Sequence, residues 1–448
     1  MSQMIATSNV KAIIGTGITG LSVARFLTKL GRSFVLMDTR ENPPHLAQIK
    51  KEFPDCTLLT GNLDLPTLLA TSEIILSPGV AQSTVEIVAA KNAGIPVIGD
   101  IELFVRYAKA PIVAITGSNA KSTVTTLVGE MAKAAGIKVA VGGNLGTPAL
   151  DLLQDDIQLY VMELSSFQLE TVTKLNAKAA TILNISSDHL DRYQNMREYI
   201  LAKMRIYFGA QHIIVNRNDL LTHPPLAQGV APIQFGGKAD FKSFGLLEDN
   251  GREYLAKNLT ALMPVNELKI RGRHNIENAL AALALGDAAG IPMDAMLTAL
   301  RNFKGLRHRC EFVAQIKGVE FYNDSKGTNI GATVAAIKGL ARDPHRLTVI
   351  LGGEGKGQDF SELVPALNNI NAHAILIGRD APIIEAAIEK TIPVSRAQNL
   401  SDAIQQSLDI SKLGDAVLLS PACASFDMFK NYEDRGEQYC KLVLEAQS

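Results

Sequence analysis

A loop between a predicted strand and a predicted helix carries the clearest chemistry in the sequence. The apolar run 112–116 leads into the loop 117–123, which reads Gly-Ser-Asn-Ala-Lys-Ser-Thr, and a helical stretch over 124–135 follows. The backbone N–H groups of such a loop and the positive end of the helix dipole point at one place, where Lys121 adds a full charge. The Ser-Thr pair that follows supplies a hydroxyl for Mg²⁺. The pattern predicts a phosphate-binding loop and the use of ATP, and an ordinary strand–turn–helix with a surface lysine is the alternative.

The loop departs from the full Walker A pattern at two positions. Ile115 and Ala120 stand where that pattern has glycine. If the backbone at residue 120 has a positive φ, alanine is strained there, whereas glycine would not be.

A second glycine-rich turn lies near the N-terminus. Residues 15–20 read Gly-Thr-Gly-Ile-Thr-Gly, after a β run over 10–14 and before a helical stretch over 21–30, and Asp38 ends the next predicted strand. Alone, the pattern indicates dinucleotide binding, and a tight turn that needs glycine only for packing is the alternative. We interpret it as a nucleotide-binding turn, of a kind that the motif alone leaves open.

Polar side chains also follow the strands beside the phosphate loop. Glu163 ends a predicted strand over 160–163, where a Mg²⁺ ligand is needed. Residues 188–191 read Asp-His-Leu-Asp, just past a predicted strand over 180–184. This run can bind a metal or a phosphate-bearing substrate, although a lone histidine is as often structural.

Further polar groups occur in the last third of the chain. Asn275 and Asn278 share one face of a long predicted helix, where they could bind adenine or ribose, or merely cap the helix. The turns 323–329, 352–357 and 420–427 follow predicted strands and contain Lys, Ser, Thr and Asn. Each turn alone could be ordinary loop chemistry, but together they indicate a site for an anionic ligand.

Composition narrows the class of protein. With 448 residues, 47% hydrophobic and 20% charged, the chain can form about two to four globular domains. A net charge of −1 gives no basic surface for nucleic acid, so we expect no nucleic-acid partner. The four cysteines form no metal or disulfide spacing, as in a reducing cytosol. We find no signal peptide and no apolar run near the ~20 residues of a membrane span, and expect a cytoplasmic protein with no membrane partner.

Alternating strands and helices predict an α/β fold of three domains in series, over 1–99, 100–305 and 306–448. The first contains the N-terminal glycine-rich turn, the second the phosphate loop, and the third a set of strands that end in small residues. Parallel sheets bring the carboxyl ends of their strands to one edge, where ligands bind. Three such domains suit an enzyme with several substrates.

Seven motifs occur in an order that resembles the Mur ligases, a family of ATP-dependent amide-forming enzymes. In chain order they are Gly-Ser-Asn-Ala-Lys-Ser-Thr, Glu-Leu-Ser-Ser-Phe-Gln, Asp-His-Leu-Asp-Arg, Ala-Lys, His-Asn-x-x-Asn, Asn-Asp-Ser-Lys-x-Thr-Asn and Ser-Pro-Ala-Cys-Ala-Ser. The resemblance covers nearly the whole chain, from about Lys11 to about Tyr439.

The resemblance implies the kinds of domain and ligand. It implies an N-terminal Rossmann-like domain, a central P-loop ATPase-like mononucleotide-binding domain and a C-terminal Rossmann-like domain. The motifs are most similar to the family members that add D-glutamate to UDP-N-acetylmuramoyl-L-alanine in peptidoglycan precursor synthesis. The implied reaction makes an acyl phosphate from ATP and the substrate carboxylate, and the amine of D-glutamate attacks it. The implied cofactors are two Mg²⁺ ions, with ATP as co-substrate, and we expect a monomer.

The resemblance also implies roles for individual residues. The ATP-binding residues are Gly117, Ser118, Asn119, Ala120, Lys121, Ser122, Thr123, Asn275, Asn278, Arg309 and Asp324. The UDP-substrate residues are Thr16, Asp38, Thr39, Arg40, Gly79, Asn144 and Ser165. The D-glutamate residues are Lys326, Thr328, Lys356, Ser425 and Tyr432, the last where these enzymes commonly have Phe. The metal ligands are Ser122, Glu163, His189 and Lys203, and the catalytic residues are Lys121, His189 and Lys203, with Lys203 carried as a carbamate.

Other functions fit parts of the sequence. A Mur-type ligase for a different amino acid is one alternative, although the L-alanine-adding type would have Asp-Asp-Tyr-x-His-His-Pro at 323–329. A nicotinamide-dependent oxidoreductase would explain Asp38 but not Lys121 or Lys356. A non-catalytic nucleotide sensor would leave the polar turns after residue 322 without a purpose.

Overall fold

A computed structural model describes residues 9–186, 188, 192–226, 228–270, 272–341, 345–355, 357–368 and 370–447. The chain divides into two compact units. The first unit comprises the described residues up to Leu247, with Ala256–Leu262 and Leu280–Ala299. The second comprises Glu248–Leu255, Met263–Ala279 and the described residues from Leu300 onward.

The N-terminal part of the first unit forms a parallel sheet. Its strands are β1 (Lys11–Ile14), β2 (Phe34–Asp38), β3 (Leu58–Thr60), β4 (Glu73–Leu76) and β5 (Val97–Gly99). Its helices are α1 (Ile18–Lys29), α2 (Leu46–Glu52), α3 (Leu65–Leu69), α4 (Val85–Asn92) and α5 (Asp100–Tyr107). The order β3-β2-β1-β4-β5 places β1 at the centre, where its apolar side chains are buried on both faces.

The first turn of this sheet depends on glycine. Gly15 has a φ of 90°, a conformation that side chains rarely adopt. A Cβ on Gly20 would lie 1.9 Å from the carbonyl oxygen of Gly15, so α1 can approach β1 only because residue 20 has no side chain.

A nine-stranded sheet follows. Its strands are β6 (Ile112–Thr116), β7 (Val139–Gly143), β8 (Leu159–Glu163), β9 (Ala179–Ile182), β10 (His212–Asn216), β11 (Ile233–Lys238), β12 (Ser243–Asp249), β13 (Arg252–Lys257) and β14 (Thr260–Pro264), in the order β14-β13-β12-β11-β10-β9-β6-β8-β7. The helices of this part are α6 (Lys121–Ala134), α7 (Ser166–Leu169), α8 (Met196–Met204), α9 (Arg273–Ala289) and α10 (Met293–Asn302). Strand β6 lies between β8 and β9, parallel to both, so Thr116 and Glu163 end neighbouring strands.

The C-terminal sheet contains one antiparallel pair. Its strands are β15 (Glu311–Ile316), β16 (Val319–Asn323), β17 (Leu347–Gly352), β18 (Ala372–Ile377), β19 (Val394–Arg396) and β20 (Ala416–Leu419). Its helices are α11 (Ile330–Leu340), α12 (Val364–Leu367), α13 (Ala381–Ile388), α14 (Leu400–Ile410) and α15 (Tyr432–Gln447). The order is β15-β16-β20-β17-β18-β19, and the β15–β16 pair is antiparallel while the other pairs are parallel.

The structure confirms the α/β prediction and the strands that surround the predicted sites. Strands β1, β2, β4, β6, β8, β17, β18 and β20 each lie within about one or two residues of the predicted runs. The antiparallel edge strand β15 and the short elements β3, α2 and α3 were not predicted. These short elements are half exposed and have little apolar periodicity for a sequence pattern to detect.

Candidate active site

The phosphate loop connects β6 to α6 at the carboxyl edge of the central sheet. Lys121 begins α6, and its Nζ donates to the carbonyl oxygens of Gly117 at 2.8 Å and Ser118 at 2.9 Å. The backbone N–H of Asn119 donates to Oδ1 of Asn184 at 2.8 Å, which anchors the loop to the segment after β9. The loop therefore holds a cation against its own backbone at the predicted phosphate site.

Ala120 precedes Lys121 in the left-handed conformation, with φ 64° and ψ 0°. The backbone strain that the sequence analysis associated with a positive φ at residue 120 is therefore present. A left-handed backbone costs about 1–2 kcal/mol for a residue with a side chain. The carbonyl of Ala120 accepts the first helical hydrogen bond, from Val124 N–H at 3.1 Å. The loop thus begins its helix from a strained residue.

Lys203 lies beneath the same loop. It is in the last turn of α8 and is 1% exposed. Its Nζ donates to the carbonyl of Gly117 at 2.9 Å and lies 3.4 Å from Oγ1 of Thr116. The ring of Tyr199 covers the amine, with its centroid 4.6 Å from Nζ.

Burial lowers the pKa of Lys203 well below its usual value, and the positive charge of Lys121 lowers it further. The carboxylates of Asp188 and Glu163 oppose this shift. Two lysines share the carbonyl oxygen of Gly117. Burial and the neighbouring charge of Lys121 therefore favour the neutral form of the Lys203 amine. Lys121 itself is only half-buried, at the surface of the loop.

Glu163 ends β8 beside the phosphate-loop strand and is buried. Its Oε1 accepts from Nδ2 of Asn144 at 2.7 Å. Within the described residues, its Oε2 is buried without a hydrogen-bond partner. A buried carboxylate oxygen in this state is costly unless a cation or donor meets it, so the residue fits a divalent metal. Among the described residues no group of three or more His, Cys, Asp and Glu forms a metal cluster.

Asp38 ends β2 and is 2% exposed. One of its oxygens accepts from the backbone N–H and the hydroxyl of Thr16, each at 2.8 Å, and Arg40 donates to both oxygens through Nε and Nη2. Burial alone would raise its pKa, but the bonds from Arg40 and Thr16 hold the pKa well below its usual range. Because the chain's own groups occupy both oxygens, Asp38 is poorly placed to bind the ribose hydroxyls of a nicotinamide nucleotide.

Asn275 and Asn278 lie in the first turns of α9, in the second unit. Nδ2 of Asn278 donates to Oδ1 of Asn275 at 3.1 Å, which confirms that they share one face. Both are nearly buried. The adjoining His274 packs against Gly339, where a Cβ would lie 2.2 Å from Nδ1, and burial lowers the pKa of His274 to about 4.

Asp324 follows β16 and is also buried. Its Oδ2 accepts from the hydroxyl of Ser420 at 2.7 Å, and its Oδ1 accepts from the backbone N–H of Cys310 at 3.2 Å. Burial raises its pKa to about 6, although the Ser420 bond and the charges of Arg309 and Arg435 oppose the shift. The turn after β16 thus contains a carboxyl group that is easily protonated.

The turn after β16 also brings Lys326 to the start of α15. Nζ of Lys326 lies 3.6 Å from the centroid of the Tyr432 ring. The turn after β20 contains Ser425, which is buried. Backbone hydrogen bonds in both directions join Ala424 in that turn to Glu354 in the turn after β17, each at 2.9 Å. Three of the predicted polar turns therefore meet at one edge of the C-terminal sheet.

The other predicted residues have simpler surroundings. Arg40 and Thr39 are exposed, and Gly79 follows β4 with open space where a Cβ would stand. Ser165 caps α7 in a reciprocal capping box with Gln168. Thr328 N–H donates to the carbonyl of Lys326 at 2.8 Å.

Three more predicted residues complete this account. Ser122 and Thr123 are buried in the first turn of α6, and Arg309 lies in the segment before β15. His189 and Lys356 lie outside the described residues.

Two arginines that join these segments carried no predicted role. Nη2 of Arg192 donates to the carbonyl of Val80 at 3.2 Å and to Glu170 at 3.1 Å, linking the N-terminal sheet's loops to the central part of the first unit. Arg435 is fully buried beneath the turns after β16 and β20. Arg192 belongs to a quoted motif, whereas nothing in the sequence around Arg435 distinguishes it from a surface helix arginine.

Three family models match the chain in series. Residues 9–99 match the N-terminal domain of the MurD-like Mur ligases, residues 115–286 match the Mur ligase middle domain, and residues 308–423 match the Mur ligase glutamate ligase domain. Together they cover most of the described chain. Each matched range contains all or nearly all strands of one of the three sheets.

Similar curated proteins span the whole length. A UDP-N-acetylmuramoylalanine--D-glutamate ligase of Pseudomonas fluorescens is 55% identical over 446 residues, which is 99% of each chain. The protein of that name from Pseudomonas aeruginosa is 53% identical over 445 residues, again 99% of each chain. The one from Hahella chejuensis is 51% identical over the same share.

Solved structures share the fold at lower identity. A pseudomurein peptide ligase type C from Methanothermus fervidus superimposes with a TM-score of 0.60 at 20% identity, covering 98% of this chain and 100% of that one. UDP-N-acetylmuramate-alanine ligase MurC from Thermotoga maritima has a TM-score of 0.58 at 18% identity, covering 97% and 99%. In the part of the chain that is described, no helix combines the length and apolar character that crossing a membrane requires.

Proposed function

The chain belongs to the Mur ligase family, and on that premise we propose that it adds D-glutamate to UDP-N-acetylmuramoyl-L-alanine with the hydrolysis of ATP, a step of peptidoglycan precursor synthesis. The observation that carries the proposal is the full-length similarity to ligases of that name, at more than half identity over 99% of the chain. The similarity to the solved MurC structure supports the fold only, because the sequence identity is low.

The proposed reaction has two steps. An oxygen of the substrate's terminal carboxylate attacks the γ-phosphorus of ATP, the bond to the bridging oxygen breaks, and ADP leaves. The amine of D-glutamate then attacks the acyl carbon, phosphate leaves with the bonding electrons, and the nitrogen loses a proton. Activation is needed because a carboxylate is a poor electrophile, and both steps require negative charge to be offset.

Lys121 is our candidate for the charge that meets the transferred phosphoryl group. Its Nζ lies on the carbonyls of Gly117 and Ser118, from which a flexible side chain can turn toward bound phosphates. The loop N–H groups and the dipole of α6 add positive potential at the same place. For the rest of the nucleotide we propose Ser118, Asn119, Ala120, Ser122, Thr123, Asn275, Asn278, Arg309 and Asp324.

We propose that Mg²⁺ ions are held by Ser122, Glu163, His189 and Lys203. The buried, unpartnered Oε2 of Glu163 supports this assignment. When bound, the ions would neutralise the charge of the phosphates and of the carboxylate that approaches them. The surrounding residues position two of these ligands. Asn144 holds the other oxygen of Glu163, and the phosphate loop holds Ser122.

Lys203 serves this site best as a carbamate. Its lowered pKa favours the neutral amine, whose nitrogen can add to CO₂ and release a proton, leaving an anionic oxygen ligand. The carbonyl of Gly117 and the ring of Tyr199 hold the nitrogen in place. An ordinary structural lysine would gain nothing from burial beside Lys121, because the two positive charges repel.

For the two organic substrates we propose different ends of the chain. The UDP substrate is assigned to Thr16, Asp38, Thr39, Arg40, Gly79, Asn144 and Ser165, with Asp38 acting through Thr16 and Arg40, whose side chains it holds. D-glutamate is assigned to Lys326, Thr328, Lys356, Ser425 and Tyr432. The ring of Tyr432 stacks on the Lys326 amine, a contact that Phe would also make, which supports keeping Tyr432 in this set.

We further infer domain boundaries at 1–99, 100–305 and 306–448, a monomeric state and a cytoplasmic location. The first boundary falls between β5 and α5, and the second falls between α10 and β15.

Phosphate release from ATP tests the proposal directly. We expect release only when UDP-N-acetylmuramoyl-L-alanine, D-glutamate and Mg²⁺ are all present. L-glutamate, L-alanine, L-lysine and diaminopimelate in place of D-glutamate are the matched controls. Equal rates with any of these amino acids would reject the assignment. A change in NADH fluorescence when NADH is titrated with the protein would support the alternative of a nicotinamide-dependent oxidoreductase.

A further inference from the structure

Arg192 lies where the loops of the N-terminal sheet meet the central part of the first unit. Its Nη2 donates to the carbonyl of Val80 at 3.2 Å and to Oε2 of Glu170 at 3.1 Å. The other oxygen of Glu170 accepts from the hydroxyl of Tyr193 at 2.8 Å. The Cζ atom of Arg192 lies 4.8 Å from the centroid of the Phe167 ring, over its face. A carboxylate, a backbone carbonyl and an aromatic ring therefore hold the guanidinium in one place.

The segments that meet at Arg192 also contain residues proposed above for the UDP substrate and the metal ions. Its carbonyl partner directly follows Gly79 in the loop after β4. Its carboxylate partner directly follows α7, which Ser165 caps. Arg192 itself comes three residues after His189 in the sequence. One side chain thus joins three segments whose relative placement matters to the proposed reaction.

The loop after β4 in turn supports the N-terminal glycine-rich turn. The hydroxyl of Ser77 donates to the carbonyl of Gly15 at 3.1 Å, and the N–H of Val80 donates to the carbonyl of Ser77 at 3.0 Å. A Cβ on Gly15 would lie 3.5 Å from Cγ2 of Val80, so the loop and the turn are in contact. A hydrogen bond to the carbonyl of Val80 therefore also steadies the turn that contains Thr16.

A row of aromatic rings continues from Arg192 to the phosphate loop. The ring centroids of Phe167 and Tyr193 are 5.9 Å apart, and those of Tyr193 and Tyr199 are 5.4 Å apart. The hydroxyl of Tyr199 lies 3.0 Å from Oγ of Ser118 in the phosphate loop. All of these residues belong to the first unit. A continuous packed path therefore runs from the loop after β4 to the phosphate loop.

Stability alone does not account for an ion pair at this place. The side chains of Arg192 and Glu170 are each 15% exposed, so both charges lose most of their water. That loss offsets most of the attraction between them, and a well-packed apolar pair would stabilise the fold as well. Arginine adds geometry, because one rigid guanidinium contacts acceptors on two segments and the face of a ring at once.

We propose that Arg192 is a positioning residue for the UDP substrate, because it sets the distance between the turns that bind the nucleotide and the phosphate loop that meets the carboxylate. This role rests on the proposed function, which places the two ends of one substrate at these two sites. The reacting atoms must approach to about 3–3.5 Å, and a misplacement of about 1 Å can cost about 10²-fold in rate. Arg192 acts on this approach through Val80 and Glu170.

The test measures phosphate release by full-length variants at varied substrate concentrations. Arg192→Met keeps the length of the side chain but removes its charge and its hydrogen bonds. We expect it to lower kcat about tenfold to a hundredfold, because the carboxylate is displaced from the phosphoryl group. The KM for the UDP substrate should rise about threefold to tenfold, whereas the KM values for ATP and D-glutamate should change less than about twofold.

Further variants separate positioning from folding. Arg192→Lys keeps the charge and one donor group, and should recover part of the lost kcat. Glu170→Gln keeps the shape of the partner without its charge and should give the same pattern with a smaller fall in kcat. The double variant Arg192→Met/Glu170→Gln should be no worse than Arg192→Met, since the two side chains act as one unit.

A matched control comes from the same part of the chain. Arg25 on α1 makes a two-bond ion pair with Glu52 on α2, and Arg25→Met should leave kcat and all three KM values unchanged. If Arg192→Met does not fold, judged by its thermal unfolding, Glu170→Gln and Arg192→Lys decide the question.

The outcomes separate this role from the proposed function. A folded Arg192→Met with unchanged kcat and unchanged KM for the UDP substrate, or with all three KM values raised alike, would overturn the positioning role. A wild type that prefers another amino acid would overturn the D-glutamate assignment, and the variants would then be judged with that amino acid. A wild type that uses no UDP-linked substrate would reject both.

Discussion

Lys203 in the first unit and Arg435 in the second are both buried basic side chains that donate to backbone carbonyls of a turn at the carboxyl edge of a sheet. Their chemistry differs, because a buried lysine loses its proton readily and an arginine does not. The pKa of Lys203 falls well below its usual value, whereas Arg435 remains charged. On the proposed function, Lys203 supplies an amine that can be converted to a carbamate, whereas Arg435 supplies a charge that is kept.

The sharpest test of this comparison exchanges the two side-chain types. Lys203→Arg should lose at least about 10³-fold in turnover, as Lys203→Ala should, because neither can become a carbamate. Arg435→Lys should keep much of its turnover, because the positive charge beneath the turns after β16 and β20 remains. Initial rates of phosphate release measure both variants.

The control and the rescue complete that test. Lys133→Ala, an exposed lysine on α6, should leave the rate unchanged. Short carboxylic acids should restore part of the activity of Lys203→Ala by supplying the missing anionic oxygen. A fully active Lys203→Arg would show that position 203 needs only a positive charge.

The carbamate also has a signature independent of turnover. Protein equilibrated with ¹³C-bicarbonate should give a carbamate carbon signal that Lys203→Arg lacks. Lys133→Ala should keep the signal. Its absence from the wild type, with normal activity, would reject the modification.

Lys121 extends the comparison to a half-buried cation on the same carbonyl of Gly117. Lys121→Ala should reduce turnover by about 10³-fold or more, because it removes the charge that meets the transferred phosphoryl group. Lys138→Ala, whose side chain pairs with Asp156 at the surface, is the control. Near-normal turnover of Lys121→Ala would mean that the loop does not bind the phosphates of ATP.

How far the sequence predicts these sites also differs between the two cations. Lys203 was found only through the Ala-Lys motif, because its spacing is that of any helix lysine, and its burial comes from packing under a loop more than 80 residues away in sequence. Arg435 carried no signal at all, since its acceptors are backbone carbonyls, which no residue pattern reveals. By contrast, the strands around both were predicted, because a buried parallel strand is a continuous apolar run.

Smaller effects, on the KM values of the two organic substrates, should show that each substrate binds to its own unit. Arg40→Ala should raise the KM for the UDP substrate by roughly tenfold to a hundredfold, and Lys326→Ala should do the same for D-glutamate, as expected for a lost charge-assisted hydrogen bond. Each should leave the other substrate's KM nearly unchanged. Variants that weaken both substrates alike would contradict the assignment of each substrate to its own part of the chain.

The smallest expected effect is on the free energy of unfolding, for variants of two alanines in the turns that Lys203 and Arg435 contact. Ala120 in the first unit and Ala422 in the second both adopt left-handed backbone, with φ of 64° and 58°. Replacing either by glycine relieves about 1–2 kcal/mol of strain and loses about 0.4–1 kcal/mol through the freer unfolded chain. Loss of the buried methyl group subtracts about 0.8 kcal/mol at the fully buried Ala422 and about half of that at the half-buried Ala120. Ala120→Gly should therefore gain up to about 1 kcal/mol in the free energy of unfolding, whereas Ala422→Gly should gain little or nothing.

An alanine in ordinary helix is the control for this pair. Ala386 is exposed within α13, and Ala386→Gly should lower the free energy of unfolding by about 0.5–1 kcal/mol. Urea unfolding followed by circular dichroism gives the three differences. A loss in Ala120→Gly as large as that in Ala386→Gly would mean that the phosphate loop is not strained at residue 120. A gain in Ala120→Gly with reduced turnover would instead show that the strain helps the loop hold Lys121 for reaction.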